Sequence, residues 1–228
     1  MDAAATFRSA VSSLEAGLQQ LRQARPDIMF EIQPPPRKLA PYAAAVGATV
    51  HDPAPLGGSG SGDRSAAQDG DTEIGWGSFV LLYDPAGQAG WAGPLRMIAY
   101  VRAELDPEIA ADPLIGQVGW SWLTEALDTG TAGYQRASGT VTRVVTEGFG
   151  AKQGQPVSTD FELRASWSPA EPTAPAPGAA YRVPPGLDRH LSAWCDVLCA
   201  ASGLPPLPAG VSALRPGHSQ PQRRKRGP

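Results

Sequence analysis

The chain has 228 residues and a formal net charge of −3, and its densest apolar run, at 79–83, is far too short to cross a bilayer, which takes about 20 residues. Without the basic run at 223–226, 15 of the 19 Lys and Arg remain against 22 Asp and Glu, or about −7, which argues against the body of the protein gripping a phosphate backbone. Gly (26) and Pro (24) make up about a fifth of the chain and are clustered, so the ordered core should be shorter than the chain.

The first elements are an amphipathic helix and a short strand. Apolar residues recur at helical spacing up to a stop near Arg25, set by the proline that follows: Phe7, Val11, Leu14, Leu18 and Leu21. The strand Ile28–Ile32 is closed by three prolines at 34–36. The stretch 43–50 is ambiguous, and we predict a strand for its last few residues. The Gly/Ser-rich stretch 52–72 is predicted to be a disordered loop.

Two strong strands and a helix follow. Residues 73–83 are apolar on both faces, which indicates a central or doubly covered strand. Residues 94–104 alternate cleanly between apolar and polar. Asp106 and Asp112 each precede a proline and are predicted to cap helices, the second of which runs to about Leu127 with Gly130 as its stop.

The last elements are strands at 140–149 and 157–167, a Pro/Ala-rich linker at 168–185 and a helix at 186–202. Short turns favour antiparallel pairing. We therefore predict an α+β fold in the order α-β-β-β-α-β-β-α, with an antiparallel sheet of about five strands and helices mainly on one face. Residues 3–51 and 73–203 would form a single domain, and 204–228 a disordered basic tail.

Three segments carry a family resemblance: LLYDPAGQ at 81–88, YVRAELDPE at 100–108 and VGWSWLTEAL at 118–127. With them, the chain resembles an actinobacterial family catalogued as domain of unknown function 3000. The likeness extends to 35–42, 137–143 and 193–195. It implies an intracellular protein and brings with it no activity, cofactor or catalytic residue.

The candidate partner or ligand surface consists of polar residues that share one strand face and of a spare tryptophan. The polar residues point away from the predicted core: Arg96, Tyr100, Arg102, Glu104, Glu162 and Arg164, with Asp160, Thr140 and Thr142 beside them. Antiparallel sheets commonly keep one wet face, so a solvated face with cross-strand ion pairs is the favoured alternative. Trp120 and Trp122, two residues apart, cannot share a helix face. Trp120 is therefore predicted to bind a partner or to pack under a neighbouring loop.

The sequence gives little support for a metal site or an acid–base site. His190, Cys195 and Cys199 supply too few ligands for zinc, so we favour two buried thiols and predict no metal and no cofactor. Reduced thiols and the lack of an N-terminal signal pattern favour a cytoplasmic protein with no membrane attachment. The dense carboxylates Glu104, Asp106 and Glu108 are better explained by helix capping and a cross-strand pair than by catalysis.

No motif establishes a function, and three hypotheses follow. The first is a non-enzymatic protein-interaction or adaptor role, with a protein partner or as a homodimer. The second is an accessory role in RNA or DNA processing through Arg223, Arg224, Lys225 and Arg226. The third is an enzyme that uses the polar sheet face around Tyr100 and Arg102.

Overall fold

The computed structural model describes residues 2–51, 73–171 and 181–204. Its strands are β1 (Ile28–Gln33), β2 (Tyr42–His51), β3 (Glu73–Tyr83), β4 (Leu95–Glu104), β5 (Tyr134–Thr146) and β6 (Ser158–Pro169). Its helices are α1 (Ala3–Ala24), α2 (Pro107–Ala110), α3 (Ile115–Thr129) and α4 (Leu187–Ala201). The predicted loop at 52–72, half of the predicted linker (172–180) and all but the first residue of the predicted tail lie outside the described residues.

All six strands form one antiparallel sheet in the order β1-β2-β3-β4-β6-β5. The predicted α+β class is confirmed. The sheet has six strands where about five were predicted, and β2 extends over the whole of the ambiguous stretch rather than its last few residues. Its run of Ala and Gly carries little strand propensity, and pairing with β1 on one side and β3 on the other decides its conformation.

Helices α1, α3 and α4 cover one face of the sheet, with α4 between the other two and against β3 and β4. The helix predicted at 186–202 is present as α4, and its buried side chains face this layer. Fully buried aromatic rings fill the interface, namely Phe79, Phe161, Trp167 and Trp194. We call this side the helix face. No helix in the described part of the chain is long and apolar enough to span a membrane.

Gly77 lets α4 approach the sheet closely. A Cβ atom at this position would lie 2.7 Å from the carbonyl oxygen of Tyr100 and 3.1 Å from the indole of Trp194. The missing side chain makes room for the Trp194 Nε1–H, which donates to that same carbonyl oxygen at 3.1 Å. A backbone carbonyl of β4 is thereby satisfied by a core side chain.

The opposite face of the sheet is open over only part of its area. Ala45, Val80 and Leu82 form a second small cluster there, covered by Trp91 from the β3–β4 connection. This cover explains why β3 is apolar on both sides, as its sequence indicates. We call the remaining part, around Tyr100, the open face.

Several predicted boundaries were wrong by a few residues. Strand β5 begins at Tyr134, not at 140, because it continues through an irregularity between Gln135 and Ser138 where Arg136 has a positive φ of 50°. It ends at Thr146, and Phe149 lies beyond it, exposed. Strand β6 runs to Pro169, inside the predicted linker.

The helix caps follow the sequence more closely. The Asp106 side chain accepts the backbone N–H of Glu108 at 2.8 Å, which confirms the predicted cap of α2. Asp112 accepts the N–H of Leu114, one residue before α3 begins. The predicted stop, Gly130, keeps a right-handed backbone, and the neighbouring Thr131 takes the left-handed conformation with φ of 51°.

Candidate functional site

The strand register assembles the open face in rows that run across the sheet. In one row Ser78 pairs with Tyr100 and Tyr100 with Arg164, and in the next Trp76 pairs with Arg102 and Arg102 with Glu162. A third row places Glu104 beside Asp160 at the end of β4. The register therefore places Tyr100, Arg102, Glu104, Glu162 and Arg164 on one face of the sheet.

The contacts within the open face are ion pairs and ring contacts. Arg102 Nη2 lies 2.9 Å from Asp160 Oδ2, on the diagonal between two rows. Arg164 Nη2 lies 3.0 Å from Glu162 Oε2, and its guanidinium carbon lies 5.5 Å from the centre of the Tyr100 ring. The Tyr100 ring in turn lies 4.8 Å from the ring of Trp76. These contacts form a connected polar and aromatic surface.

The ionisation of the open face is shaped by the same neighbours. The hydrogen bond and charge of Asp160 raise the pKa of Arg102, so this guanidinium stays charged. Partial burial and the Glu162 carboxylate raise the pKa of Tyr100, so its phenol keeps its proton more firmly than a free tyrosine does. The surface therefore presents fixed charges and a neutral phenol.

A cavity of about 270 Å³ lies at the end of this face, where β3 begins and β4 ends. Its charged lining comes from Glu73, Arg102, Glu104 and Asp160, and the ring of Trp76 also lines it. Tyr100 is not among its lining residues.

Arg96 does not belong to this surface, although it has the same parity on β4. Its side chain is only 7% exposed. One Nη donates to the carbonyl oxygen of Arg136, and the other donates to Ser138 and Ser166. Arg96 thus holds the irregular start of β5, and burial together with the charge of Arg136 lowers its pKa. Its position corrects the expectation that Arg96 is surface-exposed.

Trp120 lies on the helix face, on the other side of the sheet from Tyr100. A Cβ atom at Gly139 of β5 would come within 2.8 Å of the Trp120 ring, so the indole covers the strand there. Trp122 contacts Phe161 with ring centres 5.5 Å apart. Both tryptophans are half-buried, and the structure does not bring Trp120 together with the polar residues.

The histidine and the two cysteines of α4 are core residues. The Trp167 Nε1–H donates to His190 Nδ1 at 3.0 Å, and burial lowers the pKa of His190 to about 4. A hydrogen bond with Cys199 and burial raise the pKa of the Cys195 thiol. Within residues 2–51, 73–171 and 181–204, no group of three or more His, Cys, Asp and Glu side chains is arranged to hold a metal ion.

Two features of the structure were not predicted from the sequence. An apolar groove of about 280 Å³ lies between α1 and strands β1 and β2, lined among others by Leu14, Leu18 and Ile32. Strand β5 forms one edge of the sheet along its 13 residues, most of them exposed. The absence of proline and lysine from 134–146 was the available signal, because protected edge strands usually carry such residues.

Comparison with known proteins yields one match. The family model described as "Protein of unknown function (DUF3000)" matches residues 3–212, which include every described helix and strand. No curated protein and no solved structure matches the chain. The match covers most of the chain, and the protein belongs to the DUF3000 family.

Proposed function

We propose that this protein is a non-enzymatic interaction module that pairs the edge strand β5 with a strand of a protein partner, which can be a second copy of itself. The observation that carries the proposal is the long unpaired edge of β5. An exposed strand edge presents a row of backbone N–H and C=O groups that can bind an added strand.

The two edges of the sheet differ in how their backbone groups are covered. Strand β1 has six residues, and Arg22 of α1 donates to its Phe30 carbonyl oxygen at 3.2 Å. Prolines at 34–36 follow directly. Strand β5 is about twice as long, and no described segment pairs with its outer side. Among the described strands, only β5 offers a long template for an added strand, and its pairing with β6 is regular from Ser138 to Thr146.

Apolar side chains surround the far end of β5. Val145 is 64% exposed and Phe149 is 74% exposed, and Val144 and Val157 lie beside them in the β5–β6 hairpin. Exposed apolar side chains grouped next to an open strand edge favour association with another protein over solvation.

The proposal extends to the cellular location. The two cysteines are buried and not disulfide-bonded, and reduced thiols are typical of the cytoplasm. We therefore propose a cytoplasmic interaction partner. The alternatives of a nucleic-acid accessory role and of an enzyme using the open face stay predictions.

The decisive measurement is the molar mass at several protein concentrations by size-exclusion chromatography with light scattering. We expect wild type to self-associate, or to retain a partner when purified from native cells. Val145→Lys should abolish that association, because it places a charge in the row of apolar side chains beside the edge.

Met29→Lys is the matched control. Met29 is 57% exposed on β1, close to the exposure of Val145, but lies at the protected edge. It should leave the association intact. A monomer with no co-purifying partner would contradict the proposal, and so would equal loss of association in both variants.

A further inference from the structure

The described chain ends on the helix face, at the end of the sheet where β3 begins and β4 ends. Leu204 follows α4, and its N–H donates to the Cys199 carbonyl oxygen at 2.9 Å. Ser202, two residues earlier, lies against Gly75 at the start of β3. Gly75 also lines the cavity that holds Glu73 and Glu104. The last 24 residues of the chain, 205–228, therefore follow a residue that lies at the same end of the sheet as Glu73 and Glu104, on the opposite face.

The open face has an excess of negative charge. Its two guanidinium groups belong to Arg102 and Arg164. Its five carboxylates are those of Glu31, Glu73, Glu104, Asp160 and Glu162. Both guanidinium groups are already engaged, with Asp160 and Glu162. Among the described residues, no ion pair neutralises Glu73 or Glu104. A basic ligand would complete this surface.

Residues 205–228 have the complementary charge. They contain no Asp or Glu and five Lys or Arg, four of them in the run Arg223, Arg224, Lys225 and Arg226. Arginine also stacks on aromatic rings. The adjoining rings of Trp76 and Tyr100 provide such a platform beside the carboxylates.

The length of the chain allows the basic run to reach the whole face. Arg223 is 19 residues beyond Leu204. A flexible chain of that length has an end-to-end distance of about 25 Å. The distance across β3, β4 and β6 is only about 10 Å, since neighbouring strands are about 4.8 Å apart. Tethering also gives the run a high effective concentration at the face, on the order of millimolar.

We propose that the basic run 223–226 docks on the open face of its own chain, with its cations on Glu73 and Glu104 and its guanidinium groups against Trp76 and Tyr100. The docked segment covers this face and is displaced by a competing ligand or by salt. The inference concerns a surface separate from the β5 edge, so it stands without the proposed function.

Paramagnetic relaxation in the full-length protein tests the docking. A nitroxide on Gly227→Cys can be attached selectively, because Cys195 and Cys199 are 1% and 4% exposed. At low salt we expect loss of the Trp76 indole N–H signal and of the amide signals of Arg102 and Glu104. The signals should return at about 1 M salt, where the Debye length is about 3 Å.

Charge variants identify the contacts. Glu73→Gln with Glu104→Gln should restore the signals at low salt, as should replacement of all four basic residues at 223–226 by Ser. The matched control is Glu125→Gln, because Glu125 is exposed on α3 in the helix layer. This change removes one negative charge away from the open face and should leave the signal loss intact.

A sample that mixes isotope-labelled chains without nitroxide and unlabelled chains with it separates docking within one chain from docking between chains. Signal loss in that sample would overturn the intramolecular docking. Unchanged Trp76 and Glu104 signals in the directly labelled protein at low salt would overturn the docking itself. Equal affinity of wild type and of the Glu73→Gln, Glu104→Gln protein for a DNA duplex would also overturn the docking. A docked run must first be released from the open face, so wild type should bind DNA more weakly.

Discussion

The two faces of the sheet are built by the same strands but are held by different forces. On the helix face, the strand residues Phe79, Phe161 and Trp167 are fully buried against α3 and α4. On the open face, the residues that alternate with them are joined by ion pairs and ring contacts at partly exposed positions. Burial of apolar area stabilises the first face strongly, whereas exposed ion pairs contribute little.

This difference separates stability from binding. Truncating side chains of the helix face should lower the free energy of unfolding strongly. The histidine and the cysteines on this face are used for packing. The open face and the β5 edge contribute little to stability, so their side chains are free to be used for recognition. Three changes, taken from the largest expected effect to the smallest, test the contrast.

Replacing the buried tryptophan of α4 should have the largest effect. Trp194→Ala should lower the free energy of unfolding by about 3–5 kcal/mol, because it leaves a cavity over Gly77 and removes the bond to the Tyr100 carbonyl oxygen. Urea unfolding followed by circular dichroism measures it. Trp76→Ala, a half-buried position on the open face, is the control and should cost less than about half as much. Equal costs would refute the contrast between the faces.

Lowering the pH should reduce the free energy of unfolding because of His190, which is buried on the helix face. Its pKa is lowered from 6.5 to about 4 in the folded protein by burial. Above pH 6.5 both states are neutral and stability is complete. Between pH 6.5 and 4 the unfolded chain takes up a proton that the folded protein does not, so the unfolding free energy should fall by roughly 3 kcal/mol in total.

His190→Gln keeps an acceptor for the Trp167 N–H and removes the titration. Burial raises the pKa of Asp196, whose contribution therefore has the opposite sign and grows as the pH falls. The difference between wild type and His190→Gln, measured by urea unfolding from pH 7 to pH 4, isolates the histidine. Parallel curves for the two proteins would show that His190 titrates normally.

The open-face ion pair should matter least. Arg102→Ala should change the unfolding free energy by less than about 1 kcal/mol, because the guanidinium is 42% exposed and water screens its pair with Asp160. A double-mutant cycle with Asp160→Asn measures the coupling between the two side chains. A coupling well above 1 kcal/mol would mean that the open face contributes to stability as the core does.

Local patterns predicted the elements whose signals lie in neighbouring residues. The alternation in 94–104 identified both faces of β4, and Asp106 identified the cap of α2. The parity of Tyr100, Arg102 and Glu162 was enough to place them on one face. Parity alone misplaced Arg96, because it says nothing about what covers a strand.

The sequence by itself determined the fold class, the strand faces and the polar character of the residues around Tyr100, since these depend on period and on residue type. Only the tertiary structure decided that Arg96 is buried under β5, that Trp120 and Tyr100 lie on opposite sides of the sheet, and that β5 is an edge strand of the described sheet. The physical reason is that strand order and covering loops depend on contacts between residues far apart in the chain, such as Arg96 with Ser166 and Trp120 with Gly139.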